Sequence, residues 1–264
     1  MVLAKVVQWL IKSTLGQYAE YITGLETLEL GYWSGVVELN NLSFKPELAD
    51  ILKLPFKFHF SNIKKVRAVI PWDSPTEKPT QIEVEGVYII ISPKTQSDLE
   101  KIHVNIFEQK HKLAESFKET LESNIKDLAS QTKSDDHGWL ETLGKKMLNN
   151  LQITVKDVHI RMEVSQPGLE NYSLGVTLGE LNVTTIDEAG EAVSIESDHE
   201  FQNQELPVYK KLELNSFSVY WNDAKNKFIS EISTIHQPDA IKKLMHDTIW
   251  SPTRSDVPGE FKFL

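Results

Sequence analysis

No cysteine occurs among the 264 residues. That absence excludes a disulfide framework, a thiol nucleophile, an iron–sulfur site and Cys-ligated zinc, and it fits a reducing compartment. Long apolar runs are also missing. The longest, Val87 to Ile91, falls far short of the ~18–20 residues a membrane-spanning helix needs. Lys5, Gln8 and Lys12 interrupt any signal-peptide core at the N-terminus. Positive charge is in deficit, with 28 Lys+Arg against 38 Asp+Glu and a net charge of −10. This balance argues against a nucleic-acid partner. There is no Gly-x-Ser-x-Gly, no phosphate-cradling glycine loop and no dinucleotide fingerprint. Neither an enzyme nor a cofactor is expected. What is present is a globular composition, 40% hydrophobic and 25% charged, with enough material for a core.

Residues 2 to 23 have the periodicity of an amphipathic helix. Val2, Leu3, Val6, Val7, Leu10 and Ile11 recur at spacings of three and four, with Lys5, Gln8 and Lys12 opposite. Gly24 reads as its C-cap. A hairpin over 27–33 and 35–44 follows, then a helical turn within 47–54 and strands at 56–60, 63–70 and 81–92. Residues 96–130 read as one long helix and 139–149 as a short one. Long strands at 151–165, 173–185 and 209–221 come next, then a helix at 238–250. Residues 260–264 begin a further strand. Helices and strands are segregated rather than alternating, which is an α+β pattern with an antiparallel sheet.

Three strands carry an irregularity. Ile82, Val84, Tyr88 and Ile90 share one parity, yet Val87, Ile89 and Ile91 are equally apolar on the other. In 151–165 the apolar parity changes between Val155 and Val158. In 209–221 it changes between Leu214 and Phe217. Such a switch marks a bulge, or a twisted strand passing between two apolar surroundings. The apolar faces themselves have two readings, an ordinary core or a groove for hydrocarbon. His159, Arg161 and Glu163 share one strand face and form the nearest approach to an acid/base set. A solvated or salt-bridged face accounts for them more simply. Asp135, Asp136 and His137 lack a fourth metal ligand, so no metal site is expected. Lys64, Lys65 and Arg67 read as a solvated strand face. Trp9 is either an interfacial anchor or a packed helix residue.

Several segments resemble one family. Gly31-Tyr-Trp-Ser-Gly-Val-Val-Glu-Leu-Asn-Asn-Leu-Ser-Phe-Lys-Pro46 is similar to the N-terminal signature of chorein-type proteins, the vacuolar-protein-sorting-13 group of bridge-like lipid transfer proteins. Ile70-Pro71-Trp72, Val84-Glu-Gly-Val-Tyr88, Asn150-Leu-Gln-Ile-Thr-Val-Lys-Asp-Val-His-Ile-Arg161 and Tyr220-Trp221-Asn222 continue the resemblance in the family's order.

The resemblance implies a strongly curved antiparallel sheet forming an apolar trough. An N-terminal amphipathic helix and a long helix would pack on it, and residues 1–264 would be the first segment of a longer chain. It implies transfer of glycerophospholipids, held by their acyl chains, between membranes at organelle contact sites. The chain would be cytoplasmic and peripheral, facing the endoplasmic reticulum, with an integral scramblase as a further partner. The lining expected is Ile82, Val84, Tyr88, Ile90, Val158, Ile160, Met162, Val164, Leu174, Val176, Leu178, Phe217, Val219 and Trp221. The competing expectation is an interaction module: Val2, Leu3, Val6, Val7, Leu10 and Ile11 dock a membrane or scramblase, and the strands form ordinary core.

Overall fold

A computed structural model describes residues 16–31, 35–71, 78–95, 150–165, 171–187, 189–191, 209–223, 228–235, 237–250 and 261–262, with four isolated helical positions at 111, 115, 119 and 123. The expected docking helix over 2–11, Trp9, the 135–137 cluster and most of the long helix lie outside the described residues.

Nine strands among the described residues form one sheet. The first three are β1 (Ile22–Thr23), β2 (Glu29–Gly31) and β3 (Val36–Phe44). Five long strands follow: β4 (Phe56–Val69), β5 (Gln81–Pro93), β6 (Gln152–Val164), β7 (Tyr172–Ile186) and β8 (Tyr209–Asp223). β9 (Phe261–Lys262) pairs with β8 at Ser218 and Val219. Three helices have described bounds, α1 (Leu48–Ile51), α2 (Phe228–Ile232) and α3 (Pro238–Trp250). Sheet order follows chain order from β3 to β9, and β1 and β2 both pair with β3.

Three expectations are corrected. The sheet is mixed, because β5 and β6 run parallel while the other pairings are antiparallel. A parallel neighbour requires a crossover connection, and residues 94–151 separate these two strands. The segments 56–60 and 63–70 form one strand. Only a register shift between Phe58 and Phe60 interrupts its pairing with β5. The first helix does not run to residue 23. Gly16–Tyr21 is a 3₁₀ turn, and Ile22 and Thr23 pair with Phe44 and Ser43. Gly24, left-handed at φ 91°, leads into a second 3₁₀ turn instead. A Cβ there would stand 2.7 Å from the Asn41 carbonyl oxygen, so glycine is required.

Two buried clusters cover parts of the two faces. On one face, Ile90 packs with Phe228 and Ile232 of α2 and Ile241 and Met245 of α3, joined by Phe60 and Tyr88. On the other, Leu48 and Ala49 of α1 pack with Phe58, joined by Tyr18, Tyr21, Phe44, Ile89 and Ile91. The buried Lys94 ammonium fixes α1 in place, 2.6 Å from Asp50 Oδ1 and 3.5 Å from the Ala49 carbonyl.

Candidate functional site

The long strands contain one shared irregularity. Asn40 pairs with Lys65, Lys65 with Glu85, Glu85 with Lys156, Lys156 with Glu180 and Glu180 with Asn215. The next pairs are Leu42–Ile63, Ile63–Val87, Val87–Val158, Val158–Leu178 and Leu178–Phe217. Each of the six strands therefore passes over one residue at the same level: Asn41, Lys64, Gly86, Asp157, Gly179 and Ser216. Four of these are left-handed, with φ of 53° at Asn41, 71° at Gly86, 55° at Asp157 and 55° at Ser216. Asn, Asp and Gly are the residues that enter this region at low cost. Together the six make a crease across the sheet.

The crease decides which residues share a face. Lys64 Nζ is 2.6 Å from Glu85 Oε1. That hydrogen bond first, then the charges of Glu85, Asp157 and Asp239 of α3, hold the Lys64 pKa above its ordinary value. The Tyr88 hydroxyl donates to Asp157 Oδ2 at 2.8 Å, and Lys242 Nζ of α3 lies 5.3 Å from the Tyr88 ring centre. Glu85 and Tyr88, three residues apart, thus both face α3. One extra residue per strand has kept the face constant while shifting the sequence parity. Val84 and Val87 consequently both point away from α3.

On that second face the cross-strand partners form apolar rows. Val37, Ala68, Ile82, Ile153, Val183 and Leu212 make one, and Leu39, Val66, Val84, Val155, Leu181 and Leu214 the next. Beyond the crease, Leu42, Ile63, Val87, Val158, Leu178 and Phe217 continue the surface. Ile89, Ile160, Val176 and Val219 follow, then Ile91, Met162, Leu174 and Trp221. The cluster around α1 closes this face at Ile89 and Ile91. At β8 it is open: Leu212 is 59%, Leu214 51% and Trp221 57% exposed, and Trp221 lies 5.4 Å from the Tyr172 ring. Leu212, Leu214 and Trp221 thus present large apolar side chains to solvent along one face of β8.

Of the expected lining, Ile82, Val84, Val158, Ile160, Met162, Val164, Leu174, Val176, Leu178, Phe217, Val219 and Trp221 fall on the parity of this face. Tyr88 and Ile90 do not. Ile90 is fully buried beneath α2 and α3, and Tyr88 reaches Asp157. Strict alternation through Gly86 misplaced them, and Val87, Ile89 and Ile91 take their positions. Sequence reasoning also missed Leu181, Val183, Leu212 and Leu214 as members of the same surface. The signal for Leu212 and Leu214 was the parity switch before Phe217, and an equivalent change of parity between Leu178 and Leu181 would have placed Leu181 and Val183.

The opposite face carries charge in alternating sign. Lys65 pairs with Glu38 at 2.9 Å, Arg67 with Glu83 at 3.2 Å and Lys156 with Glu180 at 3.7 Å. The basic cluster at 64–67 is therefore neutralised across the strands. His159, Arg161 and Glu163 lie on this face too, but they are buried rather than solvated, at 5%, 2% and 5% exposure. Arg161 Nε donates to Glu163 at 2.5 Å and its Nη2 to Ser173 Oγ at 2.9 Å, and its guanidinium stacks 4.4 Å from the Phe228 ring. His159 Nε2 and the Tyr220 hydroxyl share a hydrogen bond of 2.7 Å. Burial first, then the charges of Arg161 and His246, pushes the imidazole pKa down to about 4. Burial pushes the Tyr220 hydroxyl up to about 12. The set holds α2 on the sheet and faces no solvent where a substrate would enter. Among the described residues no group of acids and histidines is arranged to bind a metal. No described helix is long and apolar enough to cross a membrane.

Comparison with known proteins identifies the family. Residues 2–257 match the VPS13-like family N-terminal region. The chain is 29% identical to the intermembrane lipid transfer protein VPS13 of Chaetomium thermophilum, over 82% of this chain and 7% of that protein. It is 28% identical to the human intermembrane lipid transfer protein VPS13C, over 84% of this chain and 7% of that one. It is 30% identical to the intermembrane lipid transfer protein vps13A of Dictyostelium discoideum, over 71% of this chain and 6% of that one. It thus spans only about a fifteenth of the length of these relatives. Matched from residue 2 to residue 257, the chain belongs to the VPS13-like family, in its N-terminal region.

Proposed function

We propose that this chain binds glycerophospholipids by their acyl chains on the apolar rows of β5–β8, and that it passes them between membranes without chemical change. The observation that carries this reading is the crease. One inserted residue in each of six strands keeps apolar rows on one face where alternation would have divided them between two. The rows continue onto β3 and β4, and a row crossing all six strands at ~4.8 Å spacing is about 24 Å long, comparable to an extended acyl chain.

Energetics favours a continuous surface. Exposing hydrocarbon to water costs about 0.8 kcal/mol per CH₂, so a two-chain lipid with ~30 such groups costs on the order of 20 kcal/mol to carry bare. Rows of Val, Ile and Leu remove most of that cost, and no catalytic group is needed. An added residue at one level of a strand also bends it. The creased sheet therefore suits a trough, closed at one corner by α1 and open along β8. A location at organelle contact sites on the endoplasmic reticulum side belongs to the same proposal. So does docking of the 2–11 segment on a membrane or an integral scramblase. The names of the relatives, all intermembrane lipid transfer proteins, support lipid and membrane as partners.

The test is uptake of an acyl-labelled phospholipid by the purified chain, followed on native gels. The double variant Leu212→Asp/Leu214→Asp changes two exposed side chains, so folding is retained while charge enters two apolar rows. Uptake by the wild type and its loss in the variant is the expected result. Equal uptake by both removes these rows from the binding surface.

A further inference from the structure

The apolar face ends in a cation. Lys210 pairs with Thr185 and precedes Leu212 and Leu214 on the same strand parity, so it stands at the end of the surface these leucines belong to. Its ammonium confirms the side. Nζ lies 2.6 Å from Thr185 Oγ1 and 3.2 Å from the Leu151 carbonyl oxygen, at the start of β6. The stem therefore crosses β7 and carries the charge back over the sheet, as lysine stems do along apolar surfaces. Burial holds the Lys210 pKa below its ordinary value, although the residue as a whole is exposed. Thr185 is 2% exposed. The next row inward is Ile153, Val183 and Leu212, all hydrocarbon.

A positive charge one row from an apolar strip complements a molecule with an anionic group joined to a hydrocarbon tail. We propose that Lys210, positioned by the buried Thr185 hydroxyl, contacts the phosphate of a phospholipid whose acyl chains lie on the rows beyond. The inference rests on the lipid-binding reading and adds the end of the strands at which the headgroup sits. An ammonium–phosphate contact is a charge-assisted hydrogen bond.

The experiment compares two lipids with identical labelled acyl chains, phosphatidic acid and diacylglycerol, offered in phosphatidylcholine vesicles to the whole 264-residue chain. Lys210→Gln is expected to lower phosphatidic acid uptake about ten-fold and leave diacylglycerol uptake unchanged. Lys210→Arg is expected to keep both. Circular dichroism verifies that each variant is folded. An equal fall for both lipids assigns Lys210 to stem packing, and no change in either removes it from the headgroup site. Each of these results overturns the inference while the lipid reading stands. If the wild type takes up neither lipid, the lipid reading fails and the headgroup site with it. A third arm titrates inorganic phosphate alone. Binding that requires Lys210, without discrimination between the two lipids, makes this a free-phosphate site and overturns the lipid assignment.

Discussion

Residue chemistry is most exposed to test beneath α2. Gly175 pairs with Tyr220, and a Cβ at Gly175 would stand 2.0 Å from Tyr220 Cζ. The missing side chain lets the tyrosine ring lie across β7 and reach His159 on β6. Gly175→Ala should therefore cost about 1–3 kcal/mol through overpacking, read as a lowered urea midpoint with loss of the His159–Tyr220 contact. His159 gives the second prediction. Its folded pKa, about 4, lies below the unfolded value of 6.5. The neutral imidazole is the folded form, so its contribution is complete above about pH 6.5 and is lost as pH falls toward 4. The full difference is on the order of 3 kcal/mol. Urea midpoints at pH 7 and pH 5 should fall further for the wild type than for His159→Gln, and equal falls would contradict the assignment. The sequence showed that His159, Arg161 and Glu163 share a face. That this face is buried depends on Phe228, in a short helix no periodicity announced.

Elements were legible where period-2 patterning was long and unbroken. β5 to β8 were placed to within one or two residues, as was α3. The shared face was not legible, because strict alternation was carried through Gly86. Asp157 and Ser216 also give no composition signal as strong as glycine. Their left-handed backbone shows only when the strands are paired and the same level is skipped in all six. The parallel β5–β6 pair, by contrast, was open to reading, because the helix expected between these two strands is itself the sign of a crossover. The crease yields its own prediction at Ser216, an exposed residue with φ 55°. Ser216→Val should destabilise by about 1–2 kcal/mol, since a β-branched side chain is disfavoured in the left-handed region. Ser216→Gly should be neutral or mildly stabilising. If the valine variant melts with the wild type, the crease is not a constraint on the strand.

At the scale of the molecule, one sheet serves two purposes on its two faces. One carries paired charges and the helices α2 and α3, with Ile90, Phe228, Ile232, Ile241 and Met245 as its buried centre. The other carries hydrocarbon from β3 to β8, is closed around Phe58 by α1, and is open at Leu212, Leu214 and Trp221. An apolar fraction of 40% fits an ordinary core equally well, so composition could not reveal that part of it faces outward. The claim that this face holds lipid is tested most directly by extracting the purified chain and identifying bound lipid by mass spectrometry. Glycerophospholipid should accompany the wild type and be depleted in Leu212→Asp/Leu214→Asp. Wild-type protein that carries no lipid, and acquires none after incubation with phospholipid vesicles, would contradict the account.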